Sequence, residues 1–310
     1  MFSHTFVVTG ATGWFGSSVM HALQQIIPAK NFNNQVLAFA SRSRTIISTG
    51  YNSENQISIP IYSLTSLPNL LPKYKSPRII QAAFLTKDRI NQIGLNSFIE
   101  INQNIINLVS DALSVAEDAK VALISSGAAE CFANAEQINT GLDKDPYGFL
   151  KLKEEQIVSS LAETQIFRIY ALTGRFIRDP HSFALGNFLM RAKDHLPIEI
   201  KSSRHVIRGY GHASDIANGA IKWLASNASR SEPINTISHE LTLLDLASMI
   251  TTMFSLPPVV ESIDKLAPPD IYTSKKEPFS SFMAGQGLGI TSFEDQVYDT
   301  AFNFGLNRLK

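Results

Sequence analysis

Three side chains in the middle of the chain, Ser126, Tyr147 and Lys151, have the types and spacing of an acid–base site. Tyr147 and Lys151 are four residues apart in a segment of helical periodicity, so they share one helix face. A free tyrosine has a pKa of about 10 and exchanges protons poorly at neutral pH. A cation one turn away favours the phenolate, and such a phenol can give a proton to, or take one from, a carbinol oxygen. Ser126 ends a predicted strand, where its hydroxyl can orient the same oxygen.

Each of these features also has a purely structural interpretation. Tyrosine–lysine pairs at this spacing are common on solvated helix faces. A pair such as Ser125-Ser126 at the end of a strand is typical of a turn or a helix cap. The catalytic interpretation therefore depends on the elements around these residues.

The start of the chain, TGATGWFG, places Gly10, Gly13 and Gly16 three residues apart. Strand formers precede the glycines at 5–8, and helical spacing of apolar residues follows them until Pro28. Glycines in a strand-to-helix turn let the chain turn tightly, let backbone approach a pyrophosphate and let the helix pack on the strand. The N-terminus of the helix then offers N–H groups to an anion. The turn predicts a dinucleotide site; the alternative is an ordinary glycine-rich turn.

The first half of the chain alternates strand-like with helix-like segments. This alternation predicts an α/β fold with a doubly wound parallel sheet, covered by helices on both faces. From about residue 173 the pattern loosens, which predicts a smaller C-terminal lobe. The predicted strands are 35–41, 78–86, 120–127 and 164–172, and the predicted helices are 97–118 and 147–163.

Composition restricts the class of protein. The 310 residues are enough for one large domain or two small ones, and the hydrophobic (44%) and charged (17%) fractions are ordinary for a globular protein. A formal net charge of zero gives no indication of nucleic acid or an anionic membrane as partner. The single cysteine, Cys131, excludes an internal disulfide and a cysteine-rich metal site, so no metal is expected. With no signal-like or bilayer-spanning apolar run, we expect a cytoplasmic protein.

Taken together and in this order, the motifs resemble those of the extended short-chain dehydrogenases/reductases, in the branch of nucleotide-sugar epimerases, dehydratases and reductases. TGATGWFG resembles the TGxxGxxG cofactor turn and PYGFLK the YxxxK pair, while ISSGAA is similar to the strand that carries the catalytic Ser or Thr. INQN at 101–104, FRIYALTG at 167–174, VIRGYGHASDIANG at 206–219 and the segment 288–304 resemble later motifs of the family, in the family's order.

The resemblance implies a Rossmann-like domain at 1–172, to which the chain returns at about 203–238. It also implies a smaller substrate-binding lobe made of 173–202 and 239–310. A hydride would pass between a nicotinamide and a sugar carbon, with Tyr147 as acid–base, Ser126 orienting the substrate, and Lys151 holding the nicotinamide ribose and lowering the pKa of the tyrosine. Dimerisation would use the helices 97–118 and 147–163, through apolar residues such as Phe98, Ile105, Ile157 and Leu161.

The resemblance also assigns the ligand contacts. The residues that would contact the substrate are Ser126, the polar Asn187 and Arg208, which would bind a phosphate. The alternative for Arg208 is an ordinary arginine on the surface. Ala171 stands where the family has an asparagine, and Ala267-Pro268-Pro269-Asp270 lacks a second arginine, so the nucleotide stays open. The residues that would contact the cofactor are Gly10, Thr12, Gly13, Trp14, Phe15, Gly16, Ser41, Arg42, Arg44, Ala82, Asn102, Tyr147 and Lys151.

The end of the second predicted strand favours NADP over NAD. An acid usually binds the two ribose hydroxyls of NAD there. This chain reads Ala40-Ser41-Arg42-Ser43-Arg44, and arginine binds a 2′-phosphate well. The alternative is a solvated loop.

The absence of acidic residues directly after Ser126 restricts the types of reaction that we expect. Dehydratases of this family carry an Asp-Glu pair after the catalytic Ser or Thr, where this chain has Gly127-Ala128 or Ala128-Ala129. We therefore expect an NADPH-dependent reductase of a nucleotide-linked 4-keto-6-deoxysugar, with a C4 epimerase second. A reductase of a non-sugar carbonyl and a non-catalytic NADP sensor are lesser alternatives. Epimerisation next to a keto group would need a further base, for which only Cys131, expected to be buried, and His181, expected in a surface loop, lie nearby.

Overall fold

The computed structural model describes residues 4–49, 56–132, 141–264 and 266–306. The chain divides into two units. Unit 1 consists of Met1–Arg168 and Ala217–Ile234, and unit 2 of Ile169–Ile216 and Asn235–Lys310. No helix among the described residues is long and apolar enough to cross a bilayer.

Helices and strands are numbered in chain order over the described residues. The strands are β1 Phe6–Thr9, β2 Val36–Ala40, β3 Arg44–Thr49, β4 Gln56–Ser63, β5 Arg78–Gln81, β6 Lys120–Ser126, β7 Glu163–Ile169, β8 Ala171–Thr173, β9 Glu199–Ile200, β10 Val206–His212, β11 Ile234–Asn235, β12 His239–Thr242, β13 Val260–Glu261 and β14 Asp270–Tyr272. The helices are α1 Trp14–Ile26, α2 Ala29–Gln35, α3 Leu67–Leu70, α4 Ile90–Ile93, α5 Leu95–Ser114, α6 Gly141–Lys144, α7 Pro146–Leu161, α8 Ala184–Lys193, α9 Ala213–Leu224, α10 Leu243–Met253, α11 Glu277–Gly285 and α12 Phe293–Ala301.

The main sheet has eight strands in the order β11-β7-β6-β5-β1-β2-β4-β3. Strand β1 pairs in parallel with β2 on one side and with β5 on the other. The chain first extends the sheet away from β1 in one direction and then returns to build the other half. This reversal leaves a crevice at the carboxyl ends of β1 and β5, which is where ligands bind in open α/β sheets. The predicted parallel, Rossmann-like fold is confirmed.

Burial explains why these segments form inner strands. Every residue of β1, β2 and β6 is buried, as expected for strands covered by helices on both faces. On one face, Val109 and Leu113 of α5 and Val158 of α7 pack with sheet residues such as Val7 and Val121. The helices that carry the motifs are therefore fixed to the sheet by apolar contacts.

A buried lysine ties the returning segment of unit 1 to the sheet. The Lys120 ammonium, at the start of β6, donates to the main-chain oxygens of Trp223 (3.3 Å), Ser226 (3.0 Å) and Ala228 (2.7 Å). It also lies 4.0 Å from the centre of the Trp223 ring. These contacts fix the last turn of α9 and the residues that follow it to the start of β6.

Two predicted strands differ from the structure. The strand predicted at 78–86 ends at Gln81, because the next residues leave the ladder and turn back: the Gln81 amide donates to the Ala83 carbonyl oxygen (3.1 Å). The strand predicted at 164–172 is split into β7 and β8, because β7 belongs to the main sheet whereas β8 pairs with β10. Strands β3 and β4, an antiparallel pair at the edge of the sheet, were not predicted.

Unit 2 is built on a second, four-stranded sheet, in which β10 pairs with β8, β12 and β14. Its apolar core includes Phe188, Leu189, Leu246 and Val297, from helices α8, α10 and α12. Strand β10 pairs with strands of unit 2, and the chain returns to unit 1 at Ala217.

Candidate functional site

Two of the three N-terminal glycines are required by the packing of the turn itself. Gly10 has a φ of +64°, which favours glycine, and a side chain there would meet the Ala82 carbonyl oxygen at 2.7 Å. A side chain on the buried Gly16 would overlap the Gly10 carbonyl. Gly13 differs, because it is exposed and a Cβ there would contact only the Gly10 oxygen, at 3.3 Å. The side of the turn that is not packed against other protein atoms is therefore the side on which Gly13 lies.

The start of α1 suits an anion. Gly13 is the N-cap residue, so the first turn has no side-chain cap, and no acidic residue lies in that turn. Main-chain N–H groups at such an end carry a partial positive charge and bind phosphates. Phe15 is buried in the core, while Thr12 and Trp14 are half-buried beside the turn. These residues fit the pyrophosphate of a dinucleotide.

The end of β2 lies next to this turn, because the Ala11 N–H donates to the Phe39 carbonyl oxygen (2.9 Å). Ser41, Arg42 and Arg44 follow, and all three are exposed. Arg44 is not in a loop, as the alternative interpretation would have it, but is the first residue of β3. The segment presents two guanidinium groups and no carboxylate at the position where an NAD site has its acid.

Asn102 is held by the main chain of the segment that follows β5. It is fully buried on α5, where its Oδ1 accepts from the Leu85 N–H (2.8 Å) and its amide donates to the Leu85 carbonyl oxygen (3.4 Å). Both polar ends of the side chain thus hold the segment that follows β5, and the cofactor contact expected for Asn102 stays a prediction. Ala82, in that segment, lies directly against the glycine turn.

The structure brings Ser126, Tyr147 and Lys151 together at the ends of β6 and the start of α7. The Ser126 hydroxyl is hydrogen-bonded to the Tyr147 phenol. The neighbouring Ser125 instead donates to Glu155 (2.5 Å), within the buried part of unit 1. This arrangement favours Ser126 over Ser125 as the serine of the site. The Phe84 ring packs edge-on against Tyr147, with ring centres 6.0 Å apart.

The pKa of the Tyr147 phenol is raised and not lowered, which differs from the expectation based on its lysine neighbour. Burial raises the pKa of the Tyr147 phenol to about 12, and the negative charges of Glu154, Asp145 and Asp88 add to this effect. The hydrogen bond with Ser126 acts in the opposite direction but is outweighed. The phenol is therefore set to donate a proton at neutral pH.

The Lys151 ammonium is enclosed by the protein. It donates to the Ile124 carbonyl oxygen (2.8 Å) and to Glu154 Oε2 (2.9 Å), and lies 3.9 Å from the centre of the Phe84 ring. Only 4% of the lysine is exposed. Its charge is thus paired with a buried carboxylate of the same helix.

Glu154 is a residue of this site that the sequence analysis missed. It is fully buried, and its Oε1 accepts from the Gln81 amide (2.8 Å). Burial raises the pKa of this carboxyl, while Lys151 and Gln81 act against the rise. A signal was present, since Lys151 and Glu154 are three residues apart and so lie on one helix face.

Two of the three expected substrate contacts, Arg208 and Asn187, lie in unit 2. Arg208 lies on β10, where its Nη2 donates to Asp270 Oδ2 (2.7 Å) and its Nη1 to the main chain of Ile207 and Asp270. This guanidinium lowers the pKa of the Asp270 carboxyl through that hydrogen bond. Asn187 is half-buried on α8. Arg208 is therefore held in a fixed orientation by the aspartate that follows the two prolines.

Among the described residues, no hydrogen bond or ion pair connects either candidate for a further base, Cys131 or His181, to Ser126, Tyr147 or Lys151. Cys131 is exposed and not buried, because the short 3₁₀ helix Gly127–Phe132 turns Ala128 and Ala129 inward instead. His181 is exposed in the 3₁₀ helix Pro180–Ser182. Across the described ranges, no three His, Cys, Asp or Glu side chains are grouped to hold a metal ion.

A second polar cluster, which the sequence analysis did not single out, lies in unit 2 around His212. Its ring nitrogens contact Asp215 (3.3 Å) and Asp299 (3.1 Å). Asp299 also accepts from Arg175 Nε (2.7 Å), and Asp215 from the Thr291 hydroxyl (2.7 Å). Burial disfavours the charged ring, but the two carboxylates outweigh burial and raise the pKa of His212 to about 9. The cluster joins β10, α9 and α12 by charge.

Comparisons with known proteins agree with this fold. The model of the NAD dependent epimerase/dehydratase family matches residues 6–236. No curated protein matches the chain. Similar folds occur in a UDP-N-acetylglucosamine 4-epimerase from Methanobrevibacter ruminantium M1 (TM-score 0.69, 17% identity, 98% of this chain and 99% of that chain). They also occur in a UDP-glucuronic acid 4-epimerase from Bacillus cereus in complex with UDP-glucuronic acid and NAD (0.69, 17%, 97% and 99%). A dTDP-glucose 4,6-dehydratase double mutant from Streptomyces venezuelae is similar too (0.67, 16%, 97% and 97%).

Proposed function

The chain belongs to the NAD dependent epimerase/dehydratase family, as an enzyme of the extended short-chain dehydrogenase/reductase type, and on that premise we propose that it reduces a nucleotide-linked keto-sugar of the 4-keto-6-deoxy type with NADPH. The observation that carries this proposal is the state of Tyr147. Its phenol is hydrogen-bonded to Ser126, and its pKa is raised to about 12, mainly by burial. A neutral phenol is the proton donor that reduction of a carbonyl requires.

Different residues of the chain would have different roles in such a reaction. When bound, NADPH supplies a hydride to the carbonyl carbon. Ser126 orients the carbonyl oxygen, and Tyr147 donates its proton to that oxygen, which leaves a phenolate that regains a proton from water. We assign substrate diphosphate binding to Arg208, with Asn187 as a further polar contact. The glycine turn, with Gly10, Thr12, Gly13, Trp14, Phe15 and Gly16, would hold the cofactor's phosphates.

The choice of NADP rests on the segment after β2. Ser41, Arg42 and Arg44 are exposed there, and no acid is present to bind the ribose hydroxyls. Charge-assisted hydrogen bonds from arginine to a phosphate are among the strongest available to a protein. The B. cereus epimerase, in contrast, is described in complex with NAD.

A nucleotide-sugar C4 epimerase is the second candidate, and it is favoured by the 4-epimerases among the similar structures. Such an enzyme oxidises and re-reduces one carbon, so Tyr147 would have to accept a proton as well as donate one. The raised pKa of Tyr147 favours the neutral phenol, the form that can donate, over the phenolate, the form that accepts.

The test is a substrate panel. The purified protein, NADPH and a set of nucleotide-4-keto-6-deoxysugars are mixed, and nicotinamide absorbance is followed. We expect at least one member to drive NADPH oxidation, and Tyr147→Phe to reduce turnover by roughly 10²–10⁴-fold while NADPH binding is kept. If no member is reduced, and NAD-loaded protein interconverts sugar epimers, the epimerase replaces the reductase. Turnover that survives in the Tyr147→Phe variant would contradict both.

We further propose a homodimer formed through α5 and α7. Leu161 on α7 and Ile101 on α5 are exposed and apolar, and Ile105 and Ile157 are half-buried. Phe98 was expected to take part, but it is fully buried within its own chain and cannot. The exposed thiol of Cys131 suits a reducing compartment, so the cytoplasm remains the proposed location.

A further inference from the structure

A continuous chain of buried polar contacts joins the glycine turn to the helix of Tyr147. Thr9, the residue before Gly10, accepts from the Ala82 N–H (3.0 Å) and donates to Gln81 Oε1 (2.5 Å). The Gln81 amide donates to Glu154 Oε1 (2.8 Å), and Glu154 Oε2 accepts from Lys151 (2.9 Å). Every member from Thr9 to Lys151 is at most 4% exposed.

The donors around Glu154 show which protonation state this chain of contacts favours. Each carboxylate oxygen accepts from a group that only donates, the Gln81 amide N–H₂ on one side and the Lys151 ammonium on the other. A protonated carboxyl needs an acceptor for its own hydrogen, and neither contact provides one. The geometry therefore fits an ionised Glu154 that forms a buried ion pair with Lys151.

A buried ion pair at this place has a consequence for the reaction, because Lys151 lies one turn from Tyr147. We propose that Glu154 is a positioning residue of the reduction suggested above: it anchors the Lys151 ammonium and offsets its charge beside the Tyr147 hydroxyl, so that the site is built to give a proton to a carbonyl oxygen. This inference rests on the proposed function for its role, but not for its electrostatics.

The other polar and charged groups near the Tyr147 phenol do not cancel the effect of the Glu154 charge. Ser126 faces it from β6, Asp145 precedes α7, and Asp88 lies in the segment after β5. Both aspartates act on the phenol in the same direction as Glu154. Lys151 is the cation within one helical turn on α7, and its ammonium is bonded to Glu154. Removal of the Glu154 charge therefore leaves that cation without its carboxylate partner.

Glu155 provides a matched control on the same helix. It is 3% exposed, and it binds Ser125 (2.5 Å) and Arg168 (2.7 Å to Nη2) rather than Lys151. Substitution of either glutamate by glutamine removes one buried negative charge with little change of shape. Only Glu154→Gln alters the surroundings of Lys151.

The experiment measures the ionisation of Tyr147 by NMR in the full chain, with tyrosine labelled with ¹³C at Cζ and the signal assigned by Tyr147→Phe. In the unsubstituted protein, we expect the Tyr147 signal to stay that of the neutral phenol up to about pH 10.5. In Glu154→Gln, the midpoint should fall by about one pH unit, a tenfold gain in phenolate at a given pH, since one nearby charge shifts a pKa by this order. In Glu155→Gln, it should not move.

Two results would overturn the proposal. One is a Tyr147 midpoint in Glu154→Gln equal to that in Glu155→Gln. The other needs no variant and so stands even if Glu154→Gln does not fold: a carboxyl ¹³C signal showing a neutral Glu154 at pH 7 in the unsubstituted protein. Neither measurement uses a substrate, so failure of the substrate panel refutes the reductase without affecting this test. Where turnover is found, the fall of the rate at high pH should begin at lower pH in Glu154→Gln.

Discussion

The charged cluster around His212 should make the stability of unit 2 depend on pH. In the folded protein the pKa of His212 is raised from 6.5 to about 9, because hydrogen bonds to Asp215 and Asp299 outweigh burial. Each pKa unit corresponds to about 1.4 kcal/mol, so the charged ring contributes about 3 kcal/mol. Asp299 has a lowered pKa for the same contact, among others, and is not counted again.

The pH dependence of this stabilisation follows from the direction of the His212 pKa shift. A group whose pKa is higher in the folded state gives its full stabilisation below the unfolded value of 6.5, and loses it as the pH rises through about 9. We therefore expect His212→Gln to lower the free energy of unfolding by about 3 kcal/mol at pH 6. The pH-dependent part of that loss should disappear above pH 9.5.

Urea unfolding from pH 5.5 to 10, followed by circular dichroism, measures this difference. His181→Gln, an exposed histidine of the same unit, is the control and should leave the pH profile unchanged. The reasoning is refuted if the loss in His212→Gln is the same at pH 6 and pH 10, or larger at pH 10.

Three further substitutions test other parts of the molecule. Gly16→Ala should destabilise unit 1 by about 3 kcal/mol or more in thermal unfolding, because its Cβ would overlap backbone, whereas Gly285→Ala, with open space around it, should be nearly neutral. Arg42→Ala should weaken NADPH binding roughly 10- to 100-fold by fluorescence titration and leave NADH binding unchanged, given about 1.5–3 kcal/mol for a charged hydrogen bond; equal losses for both would count against NADP. Arg208→Ala should raise KM for a diphosphate-linked substrate, without an effect on a neutral carbonyl compound.

Local sequence patterns were enough to predict β1, α1 and the two functional side chains on α7. The glycines of the turn, the strand before them and the apolar spacing after them are all set by neighbours in sequence, so β1 and α1 were predicted nearly to the residue. Tyr147 and Lys151 were found because one helix turn fixes their distance.

Other features depend on partners far away in the chain and could not be predicted. Glu154 is buried because Gln81 and Lys151 satisfy it, and the contact with Gln81 spans 73 residues. The raised pKa of Tyr147 depends on burial, which helical spacing does not reveal. Residues 164–172 are all strand-like, but only tertiary pairing shows that they serve two sheets.

The lysine beneath Trp223 has a consequence for biosynthesis. Its three carbonyl acceptors lie in the stretch that the ribosome adds only after the first segment of unit 2, Ile169–Ile216, has been made. A nascent chain that stops at Arg168 would leave this ammonium without these acceptors, and would lack the outermost strand β11 as well. That half of the enzyme is thus not a self-sufficient folding module, and a fragment cut there should be captured by chaperones or degraded.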